Sequence, residues 1–111
     1  MIVYCNNAVL AEHVDIADSF KKKLIGLMGK KTLLSGQGLF LKNCSSVHCF
    51  FMKFPIDVVY LSQEMVVLHM ETIQPWHIGS FTKNTKHILE LVAESAKGVS
   101  LGDKINFLKV E

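Results

Sequence analysis

The chain has 111 residues, half of them apolar, and a formal net charge of +2. That length suits a single domain over residues 1–111 with a core of its own, needing neither metal nor disulfide staples. The near balance of charges argues against a disordered tail and against a strongly electrostatic nucleic-acid partner. All 12 basic residues are lysine, so the planar arginine fork for bidentate phosphate or guanine contacts is missing.

In chain order, Met1–Cys5 reads as a strand and Asn6-Asn7 as a tight turn, because asparagine tolerates positive φ. Ala8–Ile16 then returns as a second strand, with Leu10, Val14 and Ile16 on one face and Ala11, His13 and Asp15 on the other. Asp18 or Ser19 can cap a helix whose apolar stripe is Phe20, Leu24, Leu27 and Met28, and Gly29 can stop it. From Gly38 onward the pattern is of strands: Gly38–Lys42, Val47–Met52, Ile56–Leu61, Met65–Ile73, His87–Val92 and Lys104–Val110. Ser62-Gln63-Glu64 is short enough to close a hairpin. Ile56–Leu61 is apolar on both faces except at Asp57, which predicts a central strand. The expected fold is mainly β (α+β): a compact antiparallel barrel or sandwich of seven or eight short strands, with one helix from the N-terminal half packed against it.

Cys5, Cys44 and Cys49, an odd and small number in a chain with an adequate core, read as reduced thiols, with a single Cys44–Cys49 disulfide as the less favoured alternative. The first residues carry neither a basic leader nor a long apolar run, and no window is long enough to span a bilayer. The expectation is a cytoplasmic protein without a membrane partner, acting as a monomer or weak dimer.

The block His48-Cys49-Phe50-Phe51-Met52-Lys53-Phe54-Pro55-Ile56-Asp57 sets charged groups inside an apolar run. It also carries a resemblance, together with five other pieces in order. Lys23-Leu24-Ile25-Gly26-Leu27-Met28-Gly29 and Gly38-Leu39-Phe40-Leu41 precede it. Gln74-Pro75-Trp76, His87-Ile88-Leu89-Glu90-Leu91 and Gly98-Val99-Ser100-Leu101-Gly102-Asp103 follow it. From about Asp18 to about Phe107 the chain resembles the bacterial and archaeal domain of unknown function 192. Cys49 stands where threonine is more usual, and Val92-Ala93-Glu94-Ser95 replaces a Pro-Ala-Gly-Thr-like corner. The resemblance implies a compact, mostly β domain with an N-terminal helix, and no proven catalytic residue.

Asp57 and Glu90 are acids in apolar strands, where a carboxylate must accept hydrogen bonds, face a cation or take up a proton. The functional reading is a polar pocket floored by Asp57, Lys53, His48 and Glu90, with Asp103 as a further member. The plainer reading is that Asp57 holds backbone N–H groups of a loop and Lys53 is a rim charge. Phe51 and Trp76 are candidate exposed aromatic groups beside that pocket, although core packing would explain them equally well. Cys44, His48 and Cys49 lack a second cysteine pair and the spacing of a zinc site, so no metal or cofactor is expected. Neighbouring His48 and Cys49 diverge on a strand and make no dyad, and no nucleophile elbow or phosphate loop occurs.

The function expected on these grounds is a non-catalytic binding or accessory module. Its site would be built from His48, Phe51, Lys53, Asp57, Trp76 and Glu90, and its ligand would be a small polar molecule or a peptide segment. One alternative is a small hydrolase-like enzyme using Asp57 and His48 as acid or base. The other is a weak single-stranded nucleic-acid binder built on Lys21–Lys23, Lys30 and Lys31, which the low net charge disfavours.

Overall fold

The structure, a computed structural model, describes residues 1–18, 34–46 and 53–109. Eight strands run through them: β1 (Ile2–Cys5), β2 (Ala8–Ala11), β3 (His13–Ala17), β4 (Gln37–Leu41), β5 (Ile56–Leu61), β6 (Val67–Ile73), β7 (His87–Val92) and β8 (Asn106–Leu108). They form a three-stranded sheet in the order β2-β1-β8 and a five-stranded sheet in the order β3-β4-β7-β5-β6.

This corrects the expected fold in three respects. No helix occurs among the described residues, so they are all β; the segment read as a helix lies, Asp18 apart, outside them and is not supported. The strands do not close into a barrel, since β3 and β6 remain the two edges of the larger sheet. The pairing is also not wholly antiparallel, because β3 runs parallel to β4 from His13↔Gln37 to Ala17↔Leu41. A parallel pair needs a long connection, and residues 18–36 supply one. The strand read over Val47–Met52 lies outside the described residues.

Asn6 and Asn7 do form the first hairpin turn, both in the left-handed region at φ 51° and 66°. The predicted second strand, however, is two strands. Glu12 and His13 both donate their N–H groups to the Gly36 carbonyl at 2.8 Å, and the chain passes there from the small sheet to the large one. That break resets the alternation: Ala11, Val14 and Ala17 are buried, and Ile16, placed on one face with Val14 by the sequence, is 40% exposed.

β5 is buried along its whole length between β7 and β6, as a central strand should be. One face of the large sheet packs against the small sheet. Val3, Cys5 and Ala11 meet Val14, Phe40, Val59, Leu61, Leu89 and Leu91 there. The opposite face carries a second apolar cluster of Ala17, Leu39, Leu41, Ile56, Val58, Tyr60, Ile73 and Ile88. Gly38 lets β4 approach β7 closely, because a Cβ at that position would lie 3.0 Å from the Glu90 carbonyl oxygen.

Candidate functional site

Side chains alternate along a strand, so the two clusters fix which way each acid points. On β5, Val59 and Leu61 face the small sheet, and Ile56, Val58 and Tyr60 face away from it. Asp57 is two residues before Val59 and shares its face. On β7, Leu89 and Leu91 face the small sheet and Ile88 faces away, which puts Glu90 on the far face. The two acids are both buried, at 5% and 3% exposure, and sit on neighbouring strands. They nevertheless open on opposite sides of the sheet, and the structure does not bring them into one pocket.

Asp57 is flanked in register by Thr72 on β6 and Leu91 on β7. Its Oδ1 accepts the Thr72 hydroxyl at 2.6 Å and its Oδ2 accepts the Ala96 N–H at 3.0 Å. Ala96 belongs to the run of turns after β7, where the N–H groups of Ser95, Lys97 and Val99 bond locally to Val92, Glu94 and Ala96. Asp57 therefore pins this loop to the sheet, which is the anchoring role weighed from the sequence. It does so at the wall of a cleft of about 270 Å³, lined also by Met70, Glu71, Thr72, Glu94, Ala96, Lys97 and Val99. Lys97 is held at 3.2 Å from Glu94 on the exposed rim.

Glu90 has a different setting. Val58 and Leu39 flank it in register, and Ile88 and Val92 precede and follow it on the same face. Burial among these groups pushes its carboxyl up to about 8. It stays protonated at neutral pH, as a core residue rather than a fixed charge.

On that far face, near the edge, Glu71 accepts the Tyr60 hydroxyl at 2.5 Å and both the N–H and the hydroxyl of Ser80, at 2.7 and 3.1 Å. Burial alone would raise the Glu71 carboxyl. The hydrogen bonds from Tyr60 and Ser80, with His69 at 3.9 Å, outweigh it and hold the group below the usual glutamate range. This network was missed in the sequence. The alternation of β6 sets His69 and Glu71 on one face and Met70 and Thr72 on the other, but only register with β5 brings Tyr60 to Glu71 and Thr72 to Asp57.

The other candidates are scattered. His48 and Phe51 lie outside the described residues. Lys53 is exposed just ahead of β5 and makes no ion pair with Asp57. Trp76 is 58% exposed, on the loop after β6. Asp103 accepts from the Ser100 N–H at 2.8 Å and the Asn6 amide at 3.3 Å, fastening the first hairpin to the turn before β8. Its carboxylate lies 3.7 Å from the Cys5 Sγ; burial, with Asp103 beside it, pushes that thiol up, away from nucleophilic duty. Among the described residues no group of three His, Cys, Asp or Glu side chains is placed to hold a metal ion.

The fold and site together define a small two-sheet β domain with a shallow polar cleft beside an edge strand. Residues 2–107 match the sequence profile of DUF192, described as an uncharacterized ACR, and the chain belongs to that family. It is 37% identical over 100 residues to a UPF0127 protein of Pyrococcus horikoshii, covering 85% of this chain and 86% of that one. A UPF0127 protein of Pyrococcus abyssi is 30% identical over 103 residues, covering 86% of each. The fold is similar to a crystal structure of a protein of unknown function from Novosphingobium aromaticivorans, with a TM-score of 0.79 at 17% identity over 96% of this chain and 82% of that one.

Proposed function

We propose that the chain is a single-domain, non-catalytic binding or accessory module whose ligand, a small polar molecule or a peptide segment, seats in the cleft beside Asp57. The observation that carries this reading is the opening of that cleft at a buried acid. Its lining mixes Met70, Ala96 and Val99 with the polar groups of Asp57, Thr72 and Lys97. An apolar wall with a few convergent polar groups is the usual make-up of a small-ligand site, and about 270 Å³ suits a ligand near the small end of that class. A peptide has a second handhold. β6 is an edge strand, and among the described residues only its first part has backbone partners on that edge: Val67 donates to Asp103 and accepts from Gly102. An extended segment could add to the rest of that edge.

The geometry favours binding over hydrolysis. Both Asp57 oxygens are already engaged by Thr72 and Ala96, and no histidine lines the cleft among the described residues. A general acid or base needs a free proton site in reach of substrate. The free thiols of Cys5 and Cys44 suit a reducing compartment, which supports a place in the cytoplasm. No helix among the described residues is long and apolar enough to cross a membrane.

The test is a thermal-shift screen against sugars, nucleotides, amino acids and short peptides, with Asp57→Asn alongside. A ligand that binds only the folded state raises the melting temperature by mass action. The expected result is a stabilising hit that Asp57→Asn loses. Absence of any hit, with Asp57→Asn and Asp57→Ala simply melting lower, would make Asp57 an anchor and nothing more.

A further inference from the structure

The cleft beside Asp57 is selective in what it offers a ligand. Asp57 is 5% exposed and makes no ion pair among the described residues. Its two hydrogen bonds come from neutral donors, the Thr72 hydroxyl on Oδ1 at 2.6 Å and the Ala96 N–H on Oδ2 at 3.0 Å. A carboxylate has about four acceptor positions, so roughly two remain. The Thr72 hydroxyl already donates to Asp57, which leaves its oxygen as an acceptor on an exposed residue. The N–H groups on the loop wall are committed too: Ala96 to Asp57, Lys97 to the Glu94 carbonyl and Val99 to the Ala96 carbonyl. Around Asp57 the cleft therefore asks for hydrogen-bond donors.

The other charges on the lining do not cancel that acid. Glu71 contributes to the wall, but its carboxylate is held by Tyr60 and Ser80 on the opposite face of the sheet. Glu94 and Lys97 pair with each other at 3.2 Å on the exposed rim, where water screens the pair. One buried negative charge is left, with no positive group beside it. A charge taken out of water is costly until a counter-charge meets it, and apolar walls strengthen the attraction between the two.

Shape supplies the rest. Met70 and Thr72 are two residues apart on one face of β6, a distance of about 7 Å along the strand. A group lying along that line meets the Met70 thioether at one end and the acceptors of Thr72 and Asp57 at the other. Ala96 and Val99, both buried, add apolar surface from the loop.

We infer that the occupant of this cleft presents a primary ammonium group on a short alkyl stem, as the side chain of lysine does; this rests on the reading of the cleft as a ligand site. The stem lies on Met70, Ala96 and Val99, and the ammonium donates to the remaining positions of Asp57 and to the Thr72 oxygen. A primary ammonium is a compact charge whose donors all sit on one atom, which suits acceptors grouped in this way. Asp57 repels acidic ligands.

The test is an NMR titration of the parent protein with capped residues that share one backbone: Nα-acetyl-lysine methylamide, acetyl-norleucine methylamide and acetyl-glutamate methylamide, with n-butylamine beside them. Norleucine keeps an alkyl stem and lacks the charge. The expected result is saturable shifts at the Thr72 and Ala96 amides with the lysine compound and with butylamine. Norleucine should bind at least about tenfold more weakly, and glutamate should leave the spectrum unchanged. Equal affinity for butylamine and the lysine compound would support the inference with a free amine as the source. Tighter binding of the lysine compound would support it with a peptide side chain as the source. Asp57→Asn should lose at least about tenfold, whereas Lys97→Gln should bind the lysine compound no more weakly than the parent, because it removes a cation from the rim. Norleucine or glutamate bound as tightly as lysine at the same amides would overturn the inference while the cleft stayed a ligand site. No response to any of the four compounds would overturn it as well; the reading of the cleft as a site fails only if the wider ligand screen is silent there too.

Discussion

Asp57 and Glu90 are the same kind of oddity, an acid in an apolar strand, and they lie on adjacent strands of one sheet. Their fates diverge because of what stands beside them. Asp57 is next to the edge strand, where Thr72 offers a hydroxyl, and a loop from the end of β7 folds over to offer the Ala96 N–H. Glu90 is on an interior strand between Val58 and Leu39, where only apolar groups flank it. A buried carboxylate supplied with donors stabilises its surroundings and lines a cleft; burial between apolar strand neighbours favours the neutral form of the other. Burial alone therefore does not mark a site. Position relative to the sheet edge decides which of the two acids meets hydrogen-bond donors.

The largest effect that sharpens this contrast is expected at Asp57. Asp57→Ala removes two hydrogen bonds to a charged acceptor and leaves the Ala96 N–H buried without a partner, for a loss of about 4 kcal/mol. Chemical denaturation measures it, and a loss below about 1 kcal/mol would show that the loop is anchored elsewhere. Asp57→Asn should cost less, because one acceptor oxygen survives.

Glu90 should behave in the opposite sense. The folded chain keeps its proton up to about pH 8, while the unfolded chain releases it near the ordinary glutamate value. Between those values the folded state binds the extra proton, so stability falls as pH rises through that window and stays lower above it. Glu90→Gln removes the ionisation and should raise stability at pH 7 by roughly 3 kcal/mol, with a flatter pH profile. A parent protein whose denaturation midpoint does not change between pH 5 and pH 8 would break the contrast.

Glu71 gives the smallest effect. Glu71→Gln weakens the tie to Ser80 and should cost about 1 kcal/mol, given its partial exposure. Its lowered pKa means that the contribution is complete above the ordinary glutamate range and disappears as the pH drops through the folded-state value. The readout is proteolytic cleavage in the loop of residues 74–86, which should be faster in the variant at neutral pH and indistinguishable from the parent at acid pH.

Much of the β pattern was legible in the residues. Asn6-Asn7 announced its turn, and β5 and β7 lie where their apolar runs placed them. The double use of the Gly36 carbonyl that splits the second strand was not legible, because no local pattern announces a contact 24 residues away. The parallel β3–β4 pair was hidden for the same reason. The sequence also singled out Asp57 and Glu90 correctly as unusual, and alternation shows which neighbours share a face within each strand. Whether position 57 on one strand shares a face with position 90 on another depends on the register Val58↔Glu90, and that is a property of the assembled sheet. The cleft wall from Ala96 to Val99 was likewise out of reach, since it is ordinary turn sequence until Asp57 fastens it.

The most direct test of the account is an amide-resolved NMR titration of the protein with pooled small polar molecules and short peptides. The account predicts shifts concentrated at Met70, Thr72, Ala96, Lys97 and Val99, around the Asp57 cleft. Shifts centred instead on Leu39, Val58 and Glu90, or none with any pool, would contradict it.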